Sequence, residues 1–191
     1  MVKVYTRTGD DGTTHCYKAG RISKSDIQIS AVGTVDEVNS YTGLLSSSLE
    51  SDRFSDEVTF RSQIQNRLFD LGGALATMHV KDQFEELIAR IDEKPLEEKI
   101  DRMDQQLEPI KQFILPGGTL AASQAHVCRS VCRRAEREVV AMIEASDVSG
   151  EVRNGLSQVV QYLNRLSDFF FVLARYINKL ENNDDVFWSK T

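Results

Sequence analysis

Arg129, Arg133 and Arg137 recur at intervals of four, with Arg134 beside them, in the stretch His126-Val-Cys-Arg-Ser-Val-Cys-Arg-Arg-Ala-Glu-Arg. On a helix that spacing stacks the three guanidinium groups along one face. Glu136 is the single acid between Arg129 and Arg137, in a chain whose net charge is -6. Planar forks of donors at this density suit the oxygens of a polyphosphate. The alternative is a solvated helix face whose charges find partners elsewhere. A second candidate is Thr6-Arg-Thr-Gly-Asp-Asp-Gly-Thr-Thr, with two glycines and four hydroxyls in nine residues. Amides freed at glycines and flanked by hydroxyls can cradle phosphate oxygens, with Arg7 supplying charge. Read alone, such an arm is more often an ordinary exposed terminus. It is not a Walker A loop, since no Gly-x-x-x-x-Gly-Lys-Ser/Thr occurs. Arg21 and Lys24 add charge just beyond it, and Lys24 is either a second-line phosphate contact or a solvated lysine.

Other chemistries find less support. A di-iron carboxylate site needs Glu-x-x-His pairs, and none of His15, His79 or His126 has a glutamate three residues before it. No Gly-x-Ser-x-Gly nucleophile elbow is present. Cys16, Cys128 and Cys132 cannot all pair within one chain, and they read as free thiols of a reducing compartment. A metal held by Cys128 and Cys132 would need a second ligand pair, which is not near in sequence. Asp36 is either an exposed helix acid or the partner of a buried arginine. Asn164 and Asp168 interrupt the mostly apolar middle of a helix, where they need polar partners or a ligand to face. His79 reads as a cation near a helix C-terminus.

The elements that must position these residues are helical. At 191 residues the chain fits one domain able to bury about 70% of its unfolded surface. Ala31, Val32, Val35, Val38 and Leu45 give an apolar stripe near the 3.6 period from about Ile29. A second helix is expected from about Ser55 to His79, with Val58, Ile64, Leu68, Leu71 and Leu75 inward. Gly72-Gly73 inside it costs about 1 kcal/mol per glycine relative to alanine, which suggests a close helix approach. A third helix runs from about Glu97 to Leu107, with a shorter piece around Phe84 to Ile91 before it and prolines at 95 and 109 bracketing it. Phe113-Ile-Leu-Pro-Gly-Gly reads as a hydrophobic strand-like turn. The arginine helix follows from Ala121 to about Ser146, and the last from about Val152 to Leu180. The expected fold is therefore all-α: a five-helix up-and-down bundle over 27–181, preceded by an extended N-terminal arm, 1–26, and followed by a tail, 182–191, in a single domain. A pI near 5.2 argues against a nucleic-acid or membrane-surface binder. No apolar run is long enough to span a membrane and no leader precedes the first motif, which points to the cytoplasm, or to the mitochondrial matrix if a presequence has been removed.

In order and spacing, Tyr5-Thr-Arg-Thr-Gly-Asp-Asp-Gly, Ala31-Val-Gly-Thr-Val-Asp-Glu-Val-Asn-Ser, Phe113-Ile-Leu-Pro-Gly-Gly, Arg129-x-x-Cys-Arg-Arg-Ala-Glu-Arg and Leu163-Asn-Arg-Leu-Ser-Asp-Phe resemble the PduO-type ATP:cob(I)alamin adenosyltransferases. The resemblance implies a homotrimer with active sites at subunit interfaces. By that likeness Thr6, Arg7, Thr8, Gly9, Thr14, His15 and Lys24 bind ATP from one subunit, and Arg133, Arg134, Ala135, Glu136, Arg137 and Asn164 bind it from the neighbour. Asp36 and Arg129 match an intersubunit salt bridge, Phe113 a hydrophobic residue under the lower face of the corrin, and Asp168 an acidic position at the corrinoid site. His15 stands where a serine is common, and Asp11 where lysine is frequent.

The implied reaction has Co(I) of a reduced corrinoid, cob(I)alamin, attack the 5′ carbon of ATP and displace triphosphate. The metal is itself the nucleophile, so no catalytic serine, cysteine or general base is required. Arg133, Arg134, Lys24 and Mg²⁺ carried by the ATP phosphates would stabilise the leaving group, with no direct protein ligand to the ion. Phe113, beside Ile114 and Leu115, would form the apolar wall that favours a four-coordinate Co(II) precursor. A reductase and an adenosylcobalamin-dependent acceptor enzyme are the implied partners. The alternative is a nucleotide-binding regulator or corrinoid-delivery protein without fast turnover.

Overall fold

In a computed structural model, residues 4–18, 20–49 and 54–189 are described. A short hairpin, β1 (Thr13–Cys16) and β2 (Gly20–Ser23), precedes six helices: α1 (Ile27–Ser47), α2 (Ser55–Thr77), α3 (Lys81–Ile88), α4 (Lys94–Asp104), α5 (Leu120–Ala145) and α6 (Gly150–Leu180). The described residues thus carry six helices rather than five. The extra one is the short piece before the third expected helix, separated from α4 by residues 89–93, with Pro95 in the first turn of α4 where its missing N–H costs nothing.

The long helices pair in an up-and-down manner, as side-chain contacts of constant sequence sum show. Between α1 and α2, Gln28 Nε2 donates to the Leu75 carbonyl at 2.7 Å and Arg61 Nε to Ser46 Oγ at 2.9 Å. Between α5 and α6, Cys132 Sγ donates to the Leu163 carbonyl at 3.1 Å, and Thr119 N to Asn178 Oδ1 at 3.0 Å. The inward face of α5 is built from Ala121, Ala122, Ala125, Cys128, Cys132 and Ala135. Such small side chains let α5 sit tightly between α1 and α6, whose Leu156, Val159, Leu163, Leu166, Phe170 and Leu173 supply the bulk. Burying one such leucine is worth about 1.5–3 kcal/mol. Ile64, Leu68, Leu71 and Leu75 of α2 are buried as their period predicts, while the side chain of Val58 lies outside those described.

The helix starts are capped from sequence-local oxygens: Asp26 Oδ1 accepts from Gln28 N at 2.8 Å, and Thr119 Oγ1 from Ala122 N at 3.4 Å. At Gly73 a Cβ would come within 3.1 Å of Leu87 Cδ1, so the close approach is of α3 onto α2, whereas Gly72 faces open space. α2 stops at Thr77, and His79 is exposed beyond it with Nε2 3.4 Å from Gln28 Oε1, a link to α1 rather than a cap.

The arm is a paired hairpin rather than an irregular strip. Thr13 pairs with Ser23 and Cys16 with Gly20. Cys16 is buried and its Sγ donates to the Ala76 carbonyl at 3.4 Å, which pins the hairpin to the end of α2. The three cysteines are free and buried. Among the described residues no helix is long and apolar enough to cross a membrane.

Candidate active site

The residues singled out above fall into three groups. The first is the arm. Thr6 and Thr8 share a hydroxyl–hydroxyl bond of 2.9 Å, Arg7 holds a left-handed φ of 61° with its guanidinium 5.5 Å from the Tyr5 ring centroid, and Lys24 N donates to the Gly12 carbonyl at 2.9 Å. The Lys24 ammonium packs beside Gly9, whose Cβ, if present, would be 3.3 Å from Nζ. What shapes this loop is a network that the sequence did not advertise. Asp11 accepts from Thr13 N at 3.0 Å, from Thr13 Oγ1 at 2.7 Å and from Arg21 Nη2 at 2.8 Å, while Arg21 also donates to the Thr8 carbonyl and the Thr13 hydroxyl. The Thr13 hydroxyl and amide, then Arg21, hold the Asp11 carboxyl below its usual range. Asp11 therefore organises the turn on which Thr6 to Gly9 sit, besides removing a positive charge. The only advance signal was its spacing, since an aspartate two residues before a threonine is an Asx-turn pattern.

Behind the arm lies a mostly apolar groove of about 540 Å³. Thr14 and His15 line it from β1, Asp36 from α1, and Phe69 from α2. His15 and Asp36 are exposed at its mouth. Three of the sequence candidates are thereby brought together, and Asp36 is an exposed acid that pairs with no buried arginine among the described residues.

The second group is the ridge on α5. Arg133 and Arg137 are exposed, and Arg137 Nη1 folds back onto the Arg133 carbonyl at 3.0 Å. Among the described residues neither guanidinium forms an ion pair with an acid. The flanks differ: Arg134 pairs with Glu37 of α1, and Glu136 accepts from Asn164 Nδ2 at 3.0 Å. Ala135 is fully buried beneath them. Arg129 is half-buried, its Nε has no partner among the described residues, and burial, then the neighbouring Arg133, lowers its pKa. Asn164 and Asp168 do not lie in a buried helix middle. Both are exposed, because Leu163, Leu166 and Phe170 take the inward positions. Asp168 pairs with Arg165 at 2.8 Å, and Arg165 also reaches Glu97 of α4 at 2.9 Å.

The third group is the Phe113 segment. Phe113 is 80% exposed rather than packed between helices, with the Trp188 ring edge-on at 6.4 Å. The C-terminal tail runs antiparallel beside it: Leu115 N donates to the Val186 carbonyl at 2.8 Å, and Trp188 N to the Phe113 carbonyl at 2.7 Å. Val186, Phe187 and Trp188 enlarge the apolar surface around Phe113, and the sequence reading missed all three.

α1 lies between α2 and α5 in the bundle. The groove on its α2 side and the ridge on its α5 side therefore belong to different faces of one chain. The described hydrogen bonds of Thr6, Thr8, Asp11 and Arg21 stay within the arm. No group of three or more His, Cys, Asp or Glu side chains gathers to hold a metal among the described residues.

Residues 4–177 match the family model of the cobalamin adenosyltransferases. The chain belongs to that family. It is 40% identical over 190 residues to a cobalamin adenosyltransferase of Cupriavidus metallidurans, covering 100% of this chain and 96% of that protein. It is 36% identical to the corrinoid adenosyltransferase of Bacillus subtilis, with 100% and 94% covered, and 36% identical to corrinoid adenosyltransferase MMAB of Homo sapiens, with 98% and 74% covered. Among solved structures, a phenylalanine-to-alanine variant of the PduO-type ATP:corrinoid adenosyltransferase of Lactobacillus reuteri, complexed with cobalamin and ATP, superposes with a TM-score of 0.86 at 36% identity, covering 98% of this chain and all of that one. An arginine-to-lysine variant of the same enzyme, complexed with ATP, gives a TM-score of 0.84 over 97% of this adenosyltransferase.

Proposed function

We infer that this adenosyltransferase moves the 5′-deoxyadenosyl group of ATP to Co(I) of a reduced corrinoid, giving adenosylcobalamin and triphosphate. The observation that carries the reading is the near full-length likeness to an enzyme whose structure holds cobalamin and ATP together. The cobalt electron pair forms the Co–C bond, the C5′–O bond breaks, and its electrons leave on triphosphate. With the metal as nucleophile, the chain has to supply an anion cradle, an orientation and a dry apolar wall.

Arg133 and Arg137 are the cradle's centre, since among the described residues neither is neutralised by an acid. Arg134 and Asn164 join them by exchanging Glu37 and Glu136 for phosphate oxygens. The loop from Thr6 to Gly9, with Thr14, His15 and Lys24, closes over the nucleotide from a neighbouring subunit. Mg²⁺ would come bound to the triphosphate, whose oxygens the ridge donors and the arm hydroxyls would hold. The assembly on this reading is a homotrimer; the groove on the α2 side of α1 and the ridge on its α5 side support a site that takes the groove of one copy and the ridge of the next. The half-buried Arg129, with its orphaned Nε, supports pairing with Asp36 of the partner subunit, because a desolvated guanidinium is costly without an acceptor. Phe113 forms the wall under the corrin, and Asp168 borders that site. Delivery to an acceptor enzyme and electron supply by a reductase fit the same reading, as does residence in a reducing compartment.

Anaerobic cob(I)alamin with Mg-ATP tests the reading. The expected result is adenosylcobalamin and triphosphate in equal amounts over many turnovers. Tight binding of both ligands with less than one product per site would instead mark a delivery or regulatory protein.

A further inference from the structure

The connection 105–119 between α4 and α5 has no helix or sheet strand of its own, yet it presents Phe113. It is held from one face of α6. Arg175, Asn178 and Lys179 are spaced i, i+3 and i+4, which places them together on the last turns of that helix. Arg175 Nη2 donates to the Glu108 carbonyl at 2.8 Å, and Lys179 Nζ donates to the Gln106 carbonyl, so the start of the connection is fixed. Asn178 Nδ2 donates to the Gly117 carbonyl at 3.1 Å while its Oδ1 accepts from Thr119 N at 3.0 Å, so the end is fixed too.

Two of these side chains, those of Arg175 and Asn178, also hold the tail. Arg175 Nε donates to Asp185 Oδ2 at 2.8 Å, and Asn178 Oδ1 accepts from Asn183 Nδ2 at 3.4 Å, beside a backbone bond from Asn183 N to the Asn178 carbonyl at 2.8 Å. Beyond that point the tail makes its antiparallel contact with Phe113–Leu115, where Ile114 faces Phe187. Arg175 is 4% exposed and Asn178 3%. A guanidinium is expensive to bury, and replacement by apolar side chains is often neutral or stabilising. Here the buried charge is directed at two pieces of chain that pair with each other beside Phe113. An apolar residue would fill the same space without fixing their register.

We propose that Arg175 and Asn178 are positioning residues for corrinoid binding, which set the Phe113 segment and the tail in mutual register. The proposal rests on Phe113 being the corrinoid wall. It separates the enzyme's two substrates: ATP is gripped by the arm and the α5 ridge, whereas this clamp acts only on the corrinoid side.

The test compares Arg175→Met, Arg175→Lys and Asp185→Asn with Phe113→Ala. ATP affinity is measured by calorimetry, the KM for cob(I)alamin in the anaerobic assay, and the four-coordinate fraction of cob(II)alamin with ATP by electron paramagnetic resonance. Arg175→Met is expected to raise the corrinoid KM about 10- to 100-fold, as a misplacement of around 1 Å does. It should also reduce the four-coordinate signal while ATP affinity stays within about twofold, and Arg175→Lys should recover part of both. If Arg175→Met does not fold, Asp185→Asn, which keeps the Arg175 side chain and weakens its hold on the tail, is read the same way. A wild-type corrinoid KM and four-coordinate signal in the folded α6 and tail variants, with Phe113→Ala defective, would overturn the clamp and leave the wall standing. Normal behaviour of Phe113→Ala would overturn both. Parallel loss of ATP and corrinoid affinity would reduce the clamp to scaffold.

Discussion

His126 on α5 is 4% exposed, lies edge-on to Phe171 at 6.2 Å, and leaves Nδ1 without a partner among the described residues. Burial, then the positive charge of Arg129, lowers its pKa to about 4, with Asp185 opposing them. The ring is thus neutral in the folded protein at pH values where the unfolded chain binds a proton. A group whose folded pKa lies below its unfolded value of about 6.5 makes the protein less stable as pH falls between the two. The contribution is complete above pH 6.5, declines through the interval, and is lost below pH 4. The difference amounts to ~3 kcal/mol at pH 4. Urea titrations of wild type and His126→Gln at pH 7, 5.5 and 4, at one protomer concentration because assembly also shifts stability, isolate this from the carboxylates, which titrate in both. The wild type should lose ~3 kcal/mol more than the variant between pH 7 and pH 4. Parallel curves would mean that the folded ring takes its proton freely, which would refute the argument from burial and Arg129.

Arg133→Ala should lower kcat at least 100-fold, as removal of one transition-state donor does, with unfolding free energy unchanged within about 0.5 kcal/mol, because no acid among the described residues pairs with it; full turnover would remove Arg133 from the triphosphate cradle. Asp36→Arg and Arg129→Asp should each dissociate the assembly in sedimentation, and the double exchange should restore it at least in part, whereas an intact trimer in both single variants would exclude the pair. Gly118→Ala should cost about 2–4 kcal/mol in urea, because Gly118 has φ +111° and a Cβ there would stand 2.1 Å from Asn178 Oδ1.

The helices were legible because burial on α1, α2, α5 and α6 repeats near 3.6 residues, and the repeat survives polar interruptions. It was misleading at Asn164 and Asp168, which sit among Leu163, Leu166 and Phe170 in sequence but project from the opposite side of α6. α3 is eight residues long and closes onto α2 and α6 through Phe84, Leu87 and Ile88, so short a run that the sequence marked it only as a piece before the third helix and left it out of the bundle count. The hairpin strands have four residues each, and only Cys16 is buried, so alternation had too little to register. Arg129, Arg133 and Arg137 could be found because their relation is local. The Arg175 and Asn178 clamp could not, since its partners lie 59 to 67 positions earlier or beyond the helix end, and nothing in the α6 sequence distinguishes a buried arginine from a surface one.

The pattern of pairing on α5 and α6 links assembly to chemistry. Exposed ion pairs contribute little, about 0–1 kcal/mol each, so Arg133 and Arg137 can stand unpaired at small cost to the fold. Of the flanking cations, Arg134 is paired with Glu37 and Arg165 with Glu97 and Asp168, which leaves Arg133 and Arg137 as the unpaired charge at the ridge centre among the described residues. Arg129 differs, because it is partly desolvated and its Nε has no partner among the described residues, so it gains most from an added acid. A neighbouring copy that brings Asp36 to Arg129 also brings its groove, with Thr14 and His15, against the ridge. Under that arrangement the contact that stabilises the interface and the contact that completes the nucleotide site form in one step. On the proposed assembly, an isolated protomer would keep its fold and its cationic ridge but lack the second half of the cradle.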